Sequence, residues 1–219
     1  MQNLSQKISN NLARYISDKV NKSGEEFEVI RYGVFIFIHM SIAAILTIVL
    51  GILTNTLLEI IIISLIGALL KRCCGGVHSS SPNRCIVTGL VISYIFVVIG
   101  KLMNNLSTDI IYLLEILMLI NSFIILYKKC PIPSKNKPLK KEETRNRLRK
   151  KAFNIYFMSV VIFILNIIFN EINLKYKFID INYLVIYMIL GLYMQTLTLT
   201  IMGSNMVLFI DKLLIKINV

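Results

Sequence analysis

The chain has 219 residues, 56% of them hydrophobic and 16% charged, with a mean hydropathy of +0.70. That composition excludes an ordinary soluble globular domain and identifies an integral membrane protein. The net charge of +12 comes from 24 basic and 12 acidic residues, and these alternate with apolar runs in a way that a soluble nucleic-acid binder does not need.

The first segment, residues 1–30, carries Leu4, Ile8, Leu12, Tyr15, Ile16 and Val20 at helical spacing, with Lys7, Arg14 and Lys19 elsewhere on the cylinder. This pattern predicts an amphipathic interfacial helix. The segment lacks the compact apolar core of a cleavable signal peptide. Six apolar runs follow: 33–54, 56–70, 85–100, 110–127, 152–169 and 183–203. A span needs roughly 20 apolar residues to cross about 30 Å of hydrocarbon. The predicted fold is therefore an all-α, polytopic membrane bundle of about six transmembrane or partly re-entrant helices. The second and third runs are short for a span, so four full spans with two partial ones is the alternative. The whole chain, 1–219, reads as one membrane domain: the 1–30 segment, four helices over 33–127 that include the His/Cys loop, a basic loop over 128–151, and two helices with a tail over 152–219.

Basic residues cluster before the first run (five), between Lys71 and Arg84 (three) and between Lys128 and Lys151 (eleven). The positive-inside rule puts these segments and both termini in the cytoplasm of a multi-pass membrane protein. The stretch Gly75-Gly76-Val77-His78-Ser79-Ser80-Ser81-Pro82-Asn83-Arg84-Cys85 then lies at the cytoplasmic membrane border. Ser81 before Pro82 reads as an N-cap and first-turn residue, which starts the third membrane helix near Pro82. Cys85 falls in the first turn, where the positive end of the helix attracts a thiolate. Gly75 and Gly76 allow a sharp bend that folds His78 back towards Cys85. The imidazole could then take the thiol proton and return it to a leaving amine. Against this stands the plainer reading of His78 as a polar interfacial residue and Cys85 as a small apolar filler.

Cys73, Cys74, Cys85 and Cys130 are expected to be reduced thiols on the cytoplasmic side. Adjacent Cys73 and Cys74 and the missing CxxC spacing argue against a metal site, and no cofactor is expected. Glu59 and Glu115 fall inside predicted spans and are expected to face protein. His39 is expected to make an interhelical hydrogen bond. The 128–151 segment, with Lys140, Lys141, Arg145 and Arg147, either anchors topology on anionic lipid headgroups or attracts an acidic peptide. Two other functions fit less chemistry: a peptide transporter or exporter with Glu59, Glu115, Asn121 and Gln195 along its path, or a non-catalytic scaffold.

Several separate motifs together resemble the AgrB membrane endopeptidases: Arg72, Gly75, Gly76 and His78 with Cys85 seven positions later, Arg31-Tyr32-Gly33, Pro131-Ile132-Pro133, and Asn136-Lys137-Pro138-Leu139. Cys73-Cys74 and Ser79 depart from the usual pattern. The resemblance implies a cysteine peptidase with His78 and Cys85 as its catalytic pair. Its substrate would be an AgrD-type precursor of a quorum-sensing autoinducing peptide, cut near its C-terminal side and cyclised to a thiolactone or lactone. It also implies precursor contacts by Arg72, Gly75, Gly76, Lys140, Lys141, Arg145 and Arg147. A homodimer, for which Gly191 and Gly203 offer small-residue surfaces, is a further expectation.

Overall fold

A computed structural model describes residues 2–133, 139, 141–171 and 181–217. Its secondary structure is helical throughout: α1 (Gln2–Lys19), α2 (Glu25–Leu53), α3 (Leu57–Cys74), α4 (Pro82–Met103), α5 (Thr108–Lys129), α6 (Glu142–Glu171), α7 (Ile181–Leu197) and α8 (Ile201–Lys216). The expected all-α membrane bundle is thus observed. Helices α2, α4, α5 and α6 are each long and apolar enough to cross a bilayer, and α7 with α8 would add a fifth crossing if that bent pair were one span.

Several boundaries move from the sequence expectation. The third apolar run is not short once folded, because α4 starts three residues before it and reaches Met103, giving 22 residues. The second run does stay short: α3 has 18 residues that include Glu59, Lys71 and Arg72, a length of about 27 Å. Both ends of the basic 128–151 segment are helical, since α5 runs to Lys129 and α6 begins at Glu142. The 1–30 segment likewise ends early, because Asn21 and Gly24 take positive φ and α2 begins at Glu25. The last run breaks, and α8 turns 88° away from α7.

That break has a local cause. Thr198 and Thr200 turn their hydroxyls onto the carbonyls of Gln195 and Leu197, both at 2.7 Å, offering the backbone an alternative to the helical ladder. Thr200 then caps α8 by accepting from the Gly203 amide at 3.1 Å. A Cβ at Gly203 would strike the backbone of Leu197, so the turn requires glycine there.

Helices α3 and α7 form the centre. At Gly191 an added Cβ would come within 2.8 Å of the Ile63 carbonyl oxygen; glycine is what lets the two backbones approach. Gly67 meets the Met194 side chain and Gly100 the Tyr187 ring in the same way. In lipid the hydrophobic effect does little to join helices, so this close van der Waals packing is the main adhesive. One apolar cluster joins α3, α5, α6 and α7 through Leu70, Leu119, Phe163 and Ile189, and a second joins α3, α4 and α7 through Ile63, Val97 and Leu190. Gly191 and Gly203 are therefore used inside the chain and do not offer a surface to a second copy.

The outer helices look different. Along α2 only Gly51 is buried, and Phe37, Met40 and Leu53 are exposed, as lipid-facing residues are. Helix α1 lies on α2 with Ser9, Ala13 and Ser17 buried, while Ile8, Leu12, Tyr15 and Val20 remain exposed. Its apolar stripe faces away from the protein, which suits a helix in the membrane interface. His39 departs from expectation: neither ring nitrogen has a hydrogen-bond partner, and the ring instead packs on Phe35 at 4.5 Å.

Candidate active site

The site forms where α3 ends and α4 begins. Ser81 is extended, at φ −137° and ψ 154°, and its hydroxyl accepts from the Arg84 amide at 3.3 Å, with Pro82 in the first turn. The cap that the sequence predicts is the cap observed. Cys85 consequently sits in the first turn of α4, its amide donating to the Ser81 carbonyl at 3.0 Å. His78 folds back over the intervening serines, and its Nδ1 lies 3.8 Å from the Cys85 sulfur. The imidazole is exposed and the thiol half-buried. A contact of this length is one short adjustment from a proton-transfer geometry, the usual condition of such pairs before substrate arrives.

The loop between them is held at several points. Gly75 and Gly76 have φ of 75° and 126°, conformations that residues with a Cβ rarely adopt. A Cβ on Gly75 would lie 2.8 Å from the Ile132 carbonyl oxygen, and the Ile132 amide donates to the Cys74 carbonyl at 2.8 Å. The Pro131-Ile132 motif and the glycine pair, 55 residues apart in the chain, are thus one packed corner. From α7, the Gln195 side-chain amide donates to the Gly75 carbonyl at 3.1 Å. Ser79 bonds Thr88 of α4 at 3.1 Å. The Ser80 amide donates to the Asp211 carboxylate of α8 at 3.1 Å, and the Arg84 guanidinium donates to the Ser80 hydroxyl. The 88° turn into α8 is what brings Asp211 under the loop.

Partial burial against this loop, and secondarily the positive charge of Lys71, hold the His78 imidazole below its ordinary value of 6.5. Both effects disfavour the imidazolium, leaving a neutral base at neutral pH. No carboxylate bonds the ring among the described residues. Asp211, the nearest acidic group in role, positions the loop rather than the imidazole. In the first turn of α4, the Arg84 and Cys85 amides already have acceptors. The backbone amide of Asn83 is the remaining first-turn N–H, one of the orphan donors that begin every helix.

The other candidates sort as follows. Gly75 and Gly76 shape the backbone and lean on protein. Arg72 is exposed in the last turn of α3. Lys141, Arg145 and Arg147 are exposed around the start of α6, at the same end of the bundle as the dyad, while Lys140 lies outside the described residues. Arg149 instead folds onto its own helices, bonding the Tyr127 carbonyl at 2.7 Å and stacking over that ring. Cys73, Cys74 and Cys130 are buried, with the sulfurs of Cys74 and Cys130 at 2.7 Å. The described residues contain no group of metal-ligating side chains.

The sequence does not single out Asp211, which falls in the tail expected after the last two helices. The available signal was an acidic residue inside the apolar stretch Val207–Ile215. Gln195 was noticed, but as part of a transport path. The four residues of that path do not line up: Gln195 binds the dyad loop, Glu59 accepts from Tyr183, Glu115 lines a cavity near the other end, and Asn121 is exposed on the outside of α5.

The sequence model of AgrB, accessory gene regulator B, matches residues 7–202. A "Putative AgrB-like protein" of Clostridium perfringens (strain SM101 / Type A) is 32% identical over 208 residues, covering 92% of this chain and 96% of that protein. A "Putative AgrB-like protein 2" of Clostridium perfringens (strain 13 / Type A) is 28% identical over 209 residues, covering 94% and 95%. No solved structure matches.

Proposed function

The chain belongs to the AgrB family, the accessory gene regulator B proteins of autoinducer processing, and from that premise we propose that it is a membrane cysteine endopeptidase acting on an AgrD-type precursor peptide. The observation that carries the proposal is the His78 Nδ1 contact to the Cys85 sulfur at 3.8 Å, on a capped helix N-terminus.

In this reading the Cys85 sulfur attacks the carbonyl of the scissile bond while His78 accepts the thiol proton. The oxyanion would be met by the unused Asn83 amide, a contribution of about 3 kcal/mol in comparable sites. His78 then protonates the departing amine, and the C-terminal part of the precursor leaves. The remaining part is held as a thioester on Cys85. A cysteine or serine within the precursor attacks that thioester, forming the ring and restoring the thiol. Exchange of one thioester for another is nearly level in energy, whereas hydrolysis would discard the activation. A half-buried sulfur at the bilayer border limits water, and a precursor lying on the same membrane is concentrated there.

The basic start of α6 gives the dyad end a positive surface, which by the positive-inside rule would face the cytoplasm together with both termini. Its exposed Lys141, Arg145 and Arg147 suit both lipid headgroups and an acidic precursor tail.

The test is co-expression with a tagged cognate precursor, comparing wild type with Cys85→Ala, Cys85→Ser and His78→Ala. Loss of cleavage in all three, with a precursor fragment found on Cys85 by mass spectrometry, supports the peptidase. Undiminished cleavage by Cys85→Ala overturns it.

A further inference from the structure

At the end of the bundle away from the dyad, a cavity of about 220 Å³ opens between α4, α5 and α7. Asn104 at its rim caps α4 nineteen positions after Cys85, a distance of about 28 Å at helical rise. The cavity is lined by Asn104, Thr108, Tyr112, Glu115, Asn182 and Tyr183, with apolar residues between them. Glu115 is 1% exposed, and neither of its carboxylate oxygens has a hydrogen-bond partner.

Three donors of the lining, on Asn104, Tyr112 and Tyr183, are directed elsewhere. Tyr183 donates its hydroxyl to Glu59. Tyr112 donates to the Asn182 carbonyl oxygen at 3.4 Å, and Asn166 donates to that same oxygen at 2.6 Å. The Asn170 amide donates to the Tyr112 hydroxyl at 2.5 Å, and that of Asn104 donates to Tyr187 at 3.3 Å. A buried carboxylate left without a donor is costly. Protonation removes that charge, so a cation bound here competes with the proton for the same carboxylate. Among the described residues the lining carries carboxylate, hydroxyl and carboxamide oxygens and no cationic side chain.

We propose that this cavity binds a small monovalent cation, an alkali ion or a primary ammonium, with Glu115 as its counter-charge and the neutral oxygens of the wall as its remaining ligands. The size fits: a water's share of liquid volume is about 30 Å³, so the space holds an ion with a few waters, or a small alkylammonium, and not a peptide. The charge fits as well. Among the described residues Glu115 is the only carboxylate in the lining, and divalent ions favour several carboxylates.

The experiment is thermal unfolding of the full chain in detergent or nanodiscs at constant ionic strength. Sodium, potassium, methylammonium and calcium chlorides are each titrated against N-methylglucamine chloride, whose cation is too bulky to enter. Wild type should melt higher, saturably, with at least one of the three small monovalent cations, by roughly 3–5 °C for each tenfold of cation above its dissociation constant. Glu115→Gln should lose that increment yet melt at least as high as wild type in N-methylglucamine, since the unmet charge is gone. An increment that persists in Glu115→Gln, no increment with any monovalent ion, or a response to calcium alone overturns the proposal. Peptide processing is not the readout, so this result is independent of the fate of Cys85.

Discussion

The two ends of the bundle handle polar groups in opposite ways. At the dyad end the hydrogen bonds mostly join side chains to backbone: the Gln195 amide donates to the Gly75 carbonyl, and the Ser80 and Arg84 amides donate to Asp211 and Ser81. They shape a loop and leave the proposed catalytic side chains, His78 and Cys85, accessible. At the other end the bonds run from side chain to side chain, among Tyr112, Asn166, Asn170 and Asn182 and between Tyr183 and Glu59. They join α3, α5, α6 and α7 and leave one carboxylate over. In the functions proposed above, polar groups that hold backbone frame a site for chemistry, whereas polar groups that hold one another frame a cavity for a ligand.

The sharpest break in this comparison is at the dyad. Cys85→Ala should abolish precursor cleavage, and His78→Ala should slow it by about 10²–10⁴-fold, the usual scale for a lost general base; quantitative mass spectrometry of the released fragment checks both. The next largest effect is in the corner that supports the loop. Gly75→Ala combines a strained φ of 75° with a Cβ 2.8 Å from the Ile132 carbonyl, for about 1–3 kcal/mol of backbone strain alone. It should lower both the melting temperature and the cleavage rate. Gly33→Ala, where nothing lies within 4 Å, should alter neither.

Asp211→Ala is smaller and more informative. It leaves the Ser80 amide without its acceptor, worth about 1–3 kcal/mol, and so should reduce cleavage roughly tenfold. Asp211→Asn, which keeps an oxygen for that amide, should recover most of it. A pH profile refines the picture further. Because the His78 value is lowered from 6.5, the neutral base persists as pH falls, and the acid limb of kcat/KM should have its midpoint below pH 6.5. Lys71→Gln should move that limb upward only in part, since burial is the larger cause. Smallest of all should be the joint neutralisation of Lys140, Lys141, Arg145 and Arg147, a severalfold loss seen at low salt with an acidic-tailed precursor and fading as salt rises. Unchanged processing by a normally inserted variant would leave those residues with topology alone.

How much of this was legible in the sequence depends on the range of the interaction. Ser81 and Pro82 announce the start of α4 because capping is decided within four residues. The apolar runs announce α2 to α7 because the bilayer imposes their length. The break after Leu197 was hidden inside an unbroken apolar run, since threonine hydroxyls compete with a helix only where the tertiary setting lets them. Asp211 was hidden for the same reason: it reads as a charge on a tail until α8 turns and carries it beneath Ser80. His39 shows the opposite error, a polar residue credited with a partner that an aromatic neighbour replaced. Gly191 reads as a surface for another chain until Ile63 is seen against it.

One consequence concerns the four thiols. Three are buried and only Cys85 is partly accessible, so the native chain already carries a single addressable handle for a maleimide or an iodoacetamide. A membrane-impermeant reagent added to sealed vesicles of known sidedness would tag Cys85 from one compartment alone. That labelling would reveal which aqueous phase the proposed nucleophile meets, with no engineered cysteine and no assumption about charge.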